Sequence, residues 1–394
     1  MTATTPHVPG VYDVIVVGLG GMGSAIAHHL ARRGQRVLGL EQFTPGHALG
    51  SSHGGSRLVR QAYFEDPAYV PLLLRAYELW DQLGADVGEE VLTRTGGLWL
   101  GNPDSRTVRG SLLSAQRWSL PHEVLTAQEI TRRFPTMKPG PDVVGLYEEQ
   151  AGFVGPERTV LAHLQLAGRD GAELRFQEPV QAWTADEGGA GVRVKTTSGT
   201  YTAARLVLSP GSWATTVLAD LQLPLQVERQ VQFWFLPTDD PAGWSPGRAP
   251  VWIWEAPNGR QFYGFPSMGG TDEIKVAFFR GGQATTADAV DRVVHPKEVA
   301  EIREYLGPRF PTLGPELLRA VTCLYTNTPD ENFIVDLHPR YPQVTIAAGF
   351  SGHGFKFVPV IGEIVADICL LGSTKWEIGL FAADRVANPG SLSA

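Results

Sequence analysis

Apolar residues at positions 14–17, Val-Ile-Val-Val, form an unbroken run of the kind buried on both faces of a parallel sheet. The run enters a glycine-rich turn, Gly18-Leu-Gly20-Gly-Met-Gly23, after which Ala25, Ile26, Ala27 and Leu30 recur at helical spacing. A second apolar strand over 36–41 ends in Glu41. Further along, helical periodicity predicts helices over 72–83, with Leu73, Tyr77 and Trp80 on one side, and over 112–118, 156–166, 296–305, 315–319 and 360–371. Thr126 and Glu129 make a capping box at another helix start, and Pro156 suits a first turn. Strand patterns occupy 97–101, a β-meander within 172–208 that begins at 173–176, and 344–347. Aromatic strands crowd 232–235, 251–254, 261–265 and 274–279. Their alternation suits an antiparallel sheet with one face packed and the other lining a cavity.

The first of these patterns carries chemistry. Gly18 permits a tight turn, Gly20 lets the backbone approach a pyrophosphate, and Gly23 lets helix and strand pack closely. The free amides and dipole of the helix start hold the phosphates. Glu41, about 20 residues on, stands where a carboxylate binds a ribose hydroxyl and disfavours a 2′-phosphate, so the ligand is FAD or NAD rather than NADP.

Composition narrows the class. A chain of 394 residues implies two domains, and 43% hydrophobic residues is ordinary for a globular protein. A net charge of −8 without basic runs argues against nucleic-acid binding. No apolar stretch is long enough to span a membrane, and no signal peptide is indicated. Two widely separated cysteines, Cys323 and Cys369, fit a reducing, cytoplasmic location, and no metal site is expected. The polar, glycine- and serine-rich loop 46–57 has the character of a cofactor-touching loop, though a surface connection reads similarly. Arg57 and Arg60 follow it and would share a face on a helical turn.

Four separated motifs then converge: residues 18–23, Ser52-His-Gly-Gly-Ser-Arg-Leu-Val-Arg60, Tyr325-Thr-Asn-Thr-Pro-Asp330 with Cys323 before it, and Gly349-Phe-Ser-Gly-His-Gly-Phe-Lys356. Together they resemble the monomeric sarcosine oxidase and N-methyltryptophan oxidase family of FAD-dependent amine oxidases, over nearly the whole chain. The resemblance implies a flavin bonded covalently to the Cys323 sulfur, where the bland reading is a buried small hydrophobe. Gly18, Gly20, Gly23, Glu41, Ser52, His53, Gly352 and Lys356 would join Cys323 in holding the cofactor. Arg60 and Lys356 match the cations that bind a substrate carboxylate. Lys275 matches the lysine over the flavin that promotes reaction with oxygen. Arg57 matches a residue beside the flavin, and Tyr263 and Tyr325 match cavity tyrosines. The plain alternatives are solvated lysines and core aromatics.

One position departs from the family pattern. Phe279 stands where the family has a substrate-side histidine, which favours a bulkier or more apolar substrate than sarcosine. The implied fold is α/β, a two-domain flavoprotein in which a Rossmann-like FAD-binding domain (11–91, 153–223 and 323–386) interleaves with an antiparallel-sheet substrate domain (92–152 and 224–322). The implied reaction oxidises a secondary, N-methyl amino acid: hydride passes to flavin N5, the imine hydrolyses, and oxygen takes the electrons to give hydrogen peroxide. The partners are then the amino acid and O2, with no nucleic acid or membrane, and a monomer is expected. Alternatives are a cyclic secondary amino acid such as proline or pipecolate as substrate, and a flavin dehydrogenase using another acceptor. A NAD-dependent dehydrogenase or non-catalytic cofactor-binding protein would explain the glycine turn alone.

Overall fold

The structure, a computed structural model, describes residues 11–189, 191–268 and 270–387. Two large sheets organise these residues, and both are built from segments distant in sequence.

The first sheet has eight strands. Val11–Val17 lies at its centre, parallel to Val37–Leu40 on one side and to Thr200–Leu208 on the other. Residues 14–16 are fully buried, as an apolar run without alternation requires. Val344–Ala348 adds in parallel to the end of Thr200–Leu208, and Ile334–Leu337 pairs antiparallel with it. The helix Gly21–Arg32 packs against both Pro156–Arg169 and Val358–Leu371. The last of these is apolar nearly all round and correspondingly buried.

The second sheet has nine strands. The order runs Gln283–Thr285, Gln226–Pro237, Ile274–Phe279, Gln261–Gly264, Val251–Glu255, Gly97–Gly101, Val144–Glu148 and Glu123–Thr126, with Leu313–Asn327 laid along Gln226–Pro237. It is antiparallel except where Val251–Glu255 meets Gly97–Gly101. A small third sheet joins Arg57–Val59, Gly152–Val154 and Leu92–Arg94.

Three expectations are corrected. Residues 315–319 are not a helix but part of the strand Leu313–Asn327. The neighbouring strand supplies a ladder along its length, and Pro315 falls at a register shift, where its missing N–H costs little. Residues 173–176 do not open the meander. Glu173–Arg175 pairs parallel with Val37–Leu40, and the antiparallel unit is Val180–Ala185, Val192–Thr196 and Thr200–Leu208. Arg57 and Arg60 do not sit on a helical turn, because Arg57–Val59 is a strand, and the two side chains go to different partners.

Register decides what the second sheet shows to each side. Gln230 faces Cys323, Glu228 faces Tyr325 and Trp234 faces Lys275, while Ala277 pairs with both Gln232 and Tyr263. With a period of two, Lys275, Ala277 and Phe279 therefore share a face with Cys323, Tyr325 and Tyr263. The intervening Val231, Phe233, Phe235, Phe262, Val276 and Phe278 point the other way, into a compact apolar core with Trp252, Trp254 and Phe310.

Candidate active site

A cavity of about 360 Å³ opens at the C-terminal end of the central strand of the first sheet. Gly18, Gly20, Glu41, Ser52, Arg57, Tyr325 and Gly352 all line it. Gly18 has φ +84°, a left-handed turn that glycine adopts without strain. Gly23 does not line the cavity; a Cβ there would come within 1.7 Å of the Gly18 carbonyl, so its absence lets the helix start against the turn. The Ser52 hydroxyl accepts a hydrogen bond from the Gly21 amide, fixing the loop over that start. The buried Glu41 carboxylate accepts from the amides of Leu19 and Phe43 at 2.9 and 3.0 Å, which anchors it beside the cavity. At Gly352 a Cβ would press into the Tyr325 ring at 2.4 Å.

The remaining candidates gather beyond the Arg57 and Tyr325 end. Arg57 donates to the carbonyls of Ser51 and Ser56 and, at 3.4 Å, to the Cys323 sulfur. His53 is buried beside it, and burial, then the Arg57 charge, push its pKa down to about 4. Lys275 is wholly buried; its ammonium donates to the carbonyls of Gly54 and Ser56 at 2.8 and 2.9 Å and packs on Trp234 and Phe265. Burial pushes its pKa well below the lysine range. Neither Lys275 nor Lys356 is a solvated lysine. Tyr263 and Tyr325 lie on the same face of the second sheet, and the Tyr325 ring meets Phe279 edge-on at 6.3 Å.

Phe279 in turn meets Phe64, on whose ring the Arg60 guanidinium lies at 4.2 Å. Arg60 also lies 4.2 Å over Tyr63, and the Lys356 ammonium lies 5.2 Å from the same ring. The two cations expected to hold a carboxylate are thus brought together, with Tyr63 between them. Lys356 donates to the His353 carbonyl at 2.7 Å; burial, then Arg60, push its pKa down to about 7. Arg60 is held by Glu65 at 2.6 Å. Burial works to raise the Glu65 pKa, but Arg60, His353 and Lys356 outweigh it and hold it at about 2. Cys369 lies apart, buried in the helix Val358–Leu371, where burial pushes its thiol up to about 11.

Residues 13–368 match the family model described as FAD dependent oxidoreductase. A monomeric sarcosine oxidase of Streptomyces avermitilis is 56% identical over 378 residues, covering 95% of this chain and 98% of that protein. An N-methyl-L-tryptophan oxidase of Salmonella heidelberg is 36% identical, covering 96% of this chain and 100% of that protein. This chain belongs to the FAD-dependent oxidoreductase family, in its sarcosine oxidase and N-methyltryptophan oxidase branch. It is an FAD-dependent amine oxidoreductase. Among solved structures, NikD in its open form, titled an unusual amino acid oxidase essential for nikkomycin biosynthesis, superposes with a TM-score of 0.83 at 28% identity. It covers 95% of this chain and 98% of its own.

The residues present fit the family's cofactor. The glycine turn and the Gly23 contact build a pyrophosphate cradle, and the cavity continues from Glu41 to Arg57 and Tyr325. Beside the Gly54 loop that follows Ser52, His53 Nε2 and Gln232 Oε1 are buried polar atoms without a partner among the described residues, as a site awaiting a polar ring edge would have.

Several supporting residues escape sequence reasoning. Glu65 is one, and spacing gives no reason to pair it with Arg60 across five residues. Glu157 accepts from the amides of Gly54 and Gly55 and so shapes the loop that Lys275 touches. Its place in the first turn of Pro156–Arg169 was visible, but its partner was not. Glu148, buried, accepts from the amides of Gln61 and Ala62 and fixes the chain next to Arg60. Tyr63 hydrogen-bonds His353, tying the Arg60 segment to the glycine-rich segment before Lys356.

Proposed function

We propose that the protein oxidises the carbon–nitrogen bond of a secondary, N-methylated α-amino acid. The observation that carries this reading is the pair of buried cations, Arg60 and Lys356, packed on one tyrosine ring, with Arg60 ion-paired to the carboxylate of Glu65. A carboxylate entering this low-dielectric pocket gains a planar guanidinium and an ammonium, and it competes with Glu65 for the first. The relatives named as oxidases of sarcosine and N-methyl-L-tryptophan support the substrate class. FAD, when bound, supplies a two-electron acceptor that can be reoxidised by dioxygen. The chain supplies position and charge. Arg60 and Lys356 orient the amino acid, Tyr325, Tyr263 and Phe279 wall the pocket from water, and hydrolysis of the released imine needs only solvent. Lys275, held by two carbonyls, places a positive group where negative charge develops on dioxygen on its way to hydrogen peroxide.

The Cys323 sulfur, with the Arg57 guanidinium donating to it, is the covalent attachment point for the flavin. Residues 11–91, 153–223 and 323–386 serve the cofactor, and 92–152 and 224–322 the substrate. Phe279 favours a substrate larger than sarcosine, since an aromatic ring there offers packing surface and no hydrogen bond. The enzyme acts as a monomer in the cytoplasm, where its two free, buried cysteines suit a reducing environment.

The test is anaerobic bleaching of the flavin's visible band by sarcosine, N-methyltryptophan, aliphatic N-methyl amino acids, proline and pipecolate, followed by air. Bleaching by an N-methyl amino acid with rapid recovery and peroxide supports the proposal. Bleaching by the cyclic compounds alone replaces the substrate class, and slow recovery makes the enzyme a dehydrogenase. Acid precipitation of wild type should carry the yellow colour into the pellet, and Cys323→Ser should release it. Colour retained in the Cys323→Ser pellet would overturn the linkage.

A further inference from the structure

The strand Ile274–Phe279 that carries Lys275 and Phe279 ends in Arg280, whose φ of +66° is a left-handed conformation that a non-glycine residue rarely adopts. The next turn is pinned, because the Gly282 amide donates to Glu228 at 2.7 Å, and Glu228 also accepts from Asn327, two residues beyond Tyr325. The turned backbone carries the Arg280 guanidinium back over the Phe279 ring, 4.5 Å from its centre, on the pocket side of the sheet. Phe279 is the ring that bridges Tyr325 and Phe64.

The charges around this guanidinium do not balance. One nitrogen, Nη1, meets Glu331 at 2.5 Å, but Glu331 is shared with the Arg106 guanidinium at 3.1 Å. Glu331 itself has φ +66°, so two strained residues meet in this one ion pair. The other nitrogen, Nη2, is buried and has no partner among the described residues. The positive field of Arg280 reaches Tyr63, Glu65, His353 and Lys356, the groups of the carboxylate cradle. Once an entering carboxylate displaces Glu65 from Arg60, Arg60, Lys356 and Arg280 share this region with the displaced Glu65 and a Glu331 divided between two arginines.

Resting on the reading above, we propose that Arg280 is a specificity-determining residue that binds an anionic group on the substrate's side chain, so that the preferred substrates are N-methyl amino acids carrying a second carboxylate. Arg60 and Lys356 take the α-carboxylate, the apolar part of the side chain lies along Phe279, and the terminal carboxylate satisfies Nη2 of Arg280. A buried guanidinium nitrogen lacking an acceptor costs free energy, and a carboxylate regains it with a charge-assisted bond. A purely apolar side chain would leave the nitrogen unpaired and is selected against.

Two measurements on the flavin-loaded enzyme test this separately. The first needs no turnover: glutarate and its monocarboxylate counterpart valerate are titrated by perturbation of the flavin spectrum. Glutarate should bind at least tenfold more tightly, Arg280→Gln should erase that preference, and Arg280→Lys, which keeps the charge, should restore part of it. Equal binding of the two acids by wild type, or a preference untouched in Arg280→Gln, overturns the assignment. The second compares kcat/KM for N-methyl-L-glutamate, N-methyl-L-glutamine and N-methyl-L-leucine. The expected order places the diacid at least tenfold above the leucine derivative, a gap carried by KM. Equal values for glutamine and glutamate derivatives would show that Arg280 reads a neutral acceptor and would overturn the anionic class. If none of the three bleaches the flavin while glutarate still binds through Arg280, the oxidase reading fails and the anion subsite stands.

Discussion

The two ends of the long cavity are built on opposite principles. At the glycine turn, the groups that shape the pocket lie within a few residues of one another: Gly18, Gly20 and Gly23 act through backbone amides and the lack of side chains. Beyond the far end, marked by Arg57 and Tyr325, Lys275, Cys323 and Lys356 come from separate segments, and the two lysines act through buried charge. One end is a local backbone device, and the other exists only when the sheet register and the 46–65 segment are both in place. Steric damage should therefore dominate at the first end and electrostatic damage at the second.

Substitutions can break this contrast. The largest effect is expected from Gly23→Ala, whose Cβ would lie 1.7 Å from a backbone oxygen that cannot move without opening the turn. A loss on the order of 3 kcal/mol in unfolding free energy, with little flavin retained, is expected from such overpacking. Gly20→Ala sharpens the point. A Cβ there meets nothing nearer than the Ser52 hydroxyl at 3.8 Å, so the protein should melt within about 1 kcal/mol of wild type. It should still lose flavin, because the added methyl takes the space of the pyrophosphate. Equal stability losses for the two variants would show that the turn is not a close-packed device.

At the charged end, Lys275→Met keeps the length and removes the cation. Stopped-flow reoxidation by air should slow about 100-fold, the scale of losing one preorganised electrostatic group, while anaerobic reduction by substrate slows much less. A comparable slowing of both half-reactions would make Lys275 a structural support of the loop at Gly54 and Ser56.

The smallest effect is a pH dependence. The Lys356 pKa lies below that of a free lysine, at about 7, so its charge is present below that pH and lost above it. Binding of a simple monocarboxylate should therefore weaken by about tenfold between pH 6 and 8 as the ammonium becomes neutral. Lys356→Met should flatten the profile. A pH-independent wild type would mean that the entering carboxylate does not meet Lys356.

How much of this was legible in the chain follows the same division. The strand, turn and helix at 11–32 were readable because each rule involved acts within a few residues: a run of β-branched side chains, a glycine where φ is positive, a helical repeat. The aromatic strands at 226–279 were readable from alternation, and with them the idea of one packed and one open face. The 315–319 segment was not, because a short stretch with a leading proline satisfies helix rules locally, and only the partner strand Gln226–Pro237 overrules them. Arg57 and Arg60 were legible as neighbours but not as residues with different partners, since strand backbone sends their side chains to Cys323 and to Glu65.

The sequence by itself determined that a dinucleotide binds at the turn after the first strand, and the motif order determined the family, because both rest on residue identity at fixed short spacing. Tertiary structure alone decided that Glu65 occupies Arg60, that Glu157 holds the Gly54 loop under Lys275, and that Arg280 turns back over Phe279 with one nitrogen unpaired among the described residues. Those facts depend on which charges share a buried volume. In a low-dielectric interior such pairings are set by distance through space, for which separation along the chain carries no information.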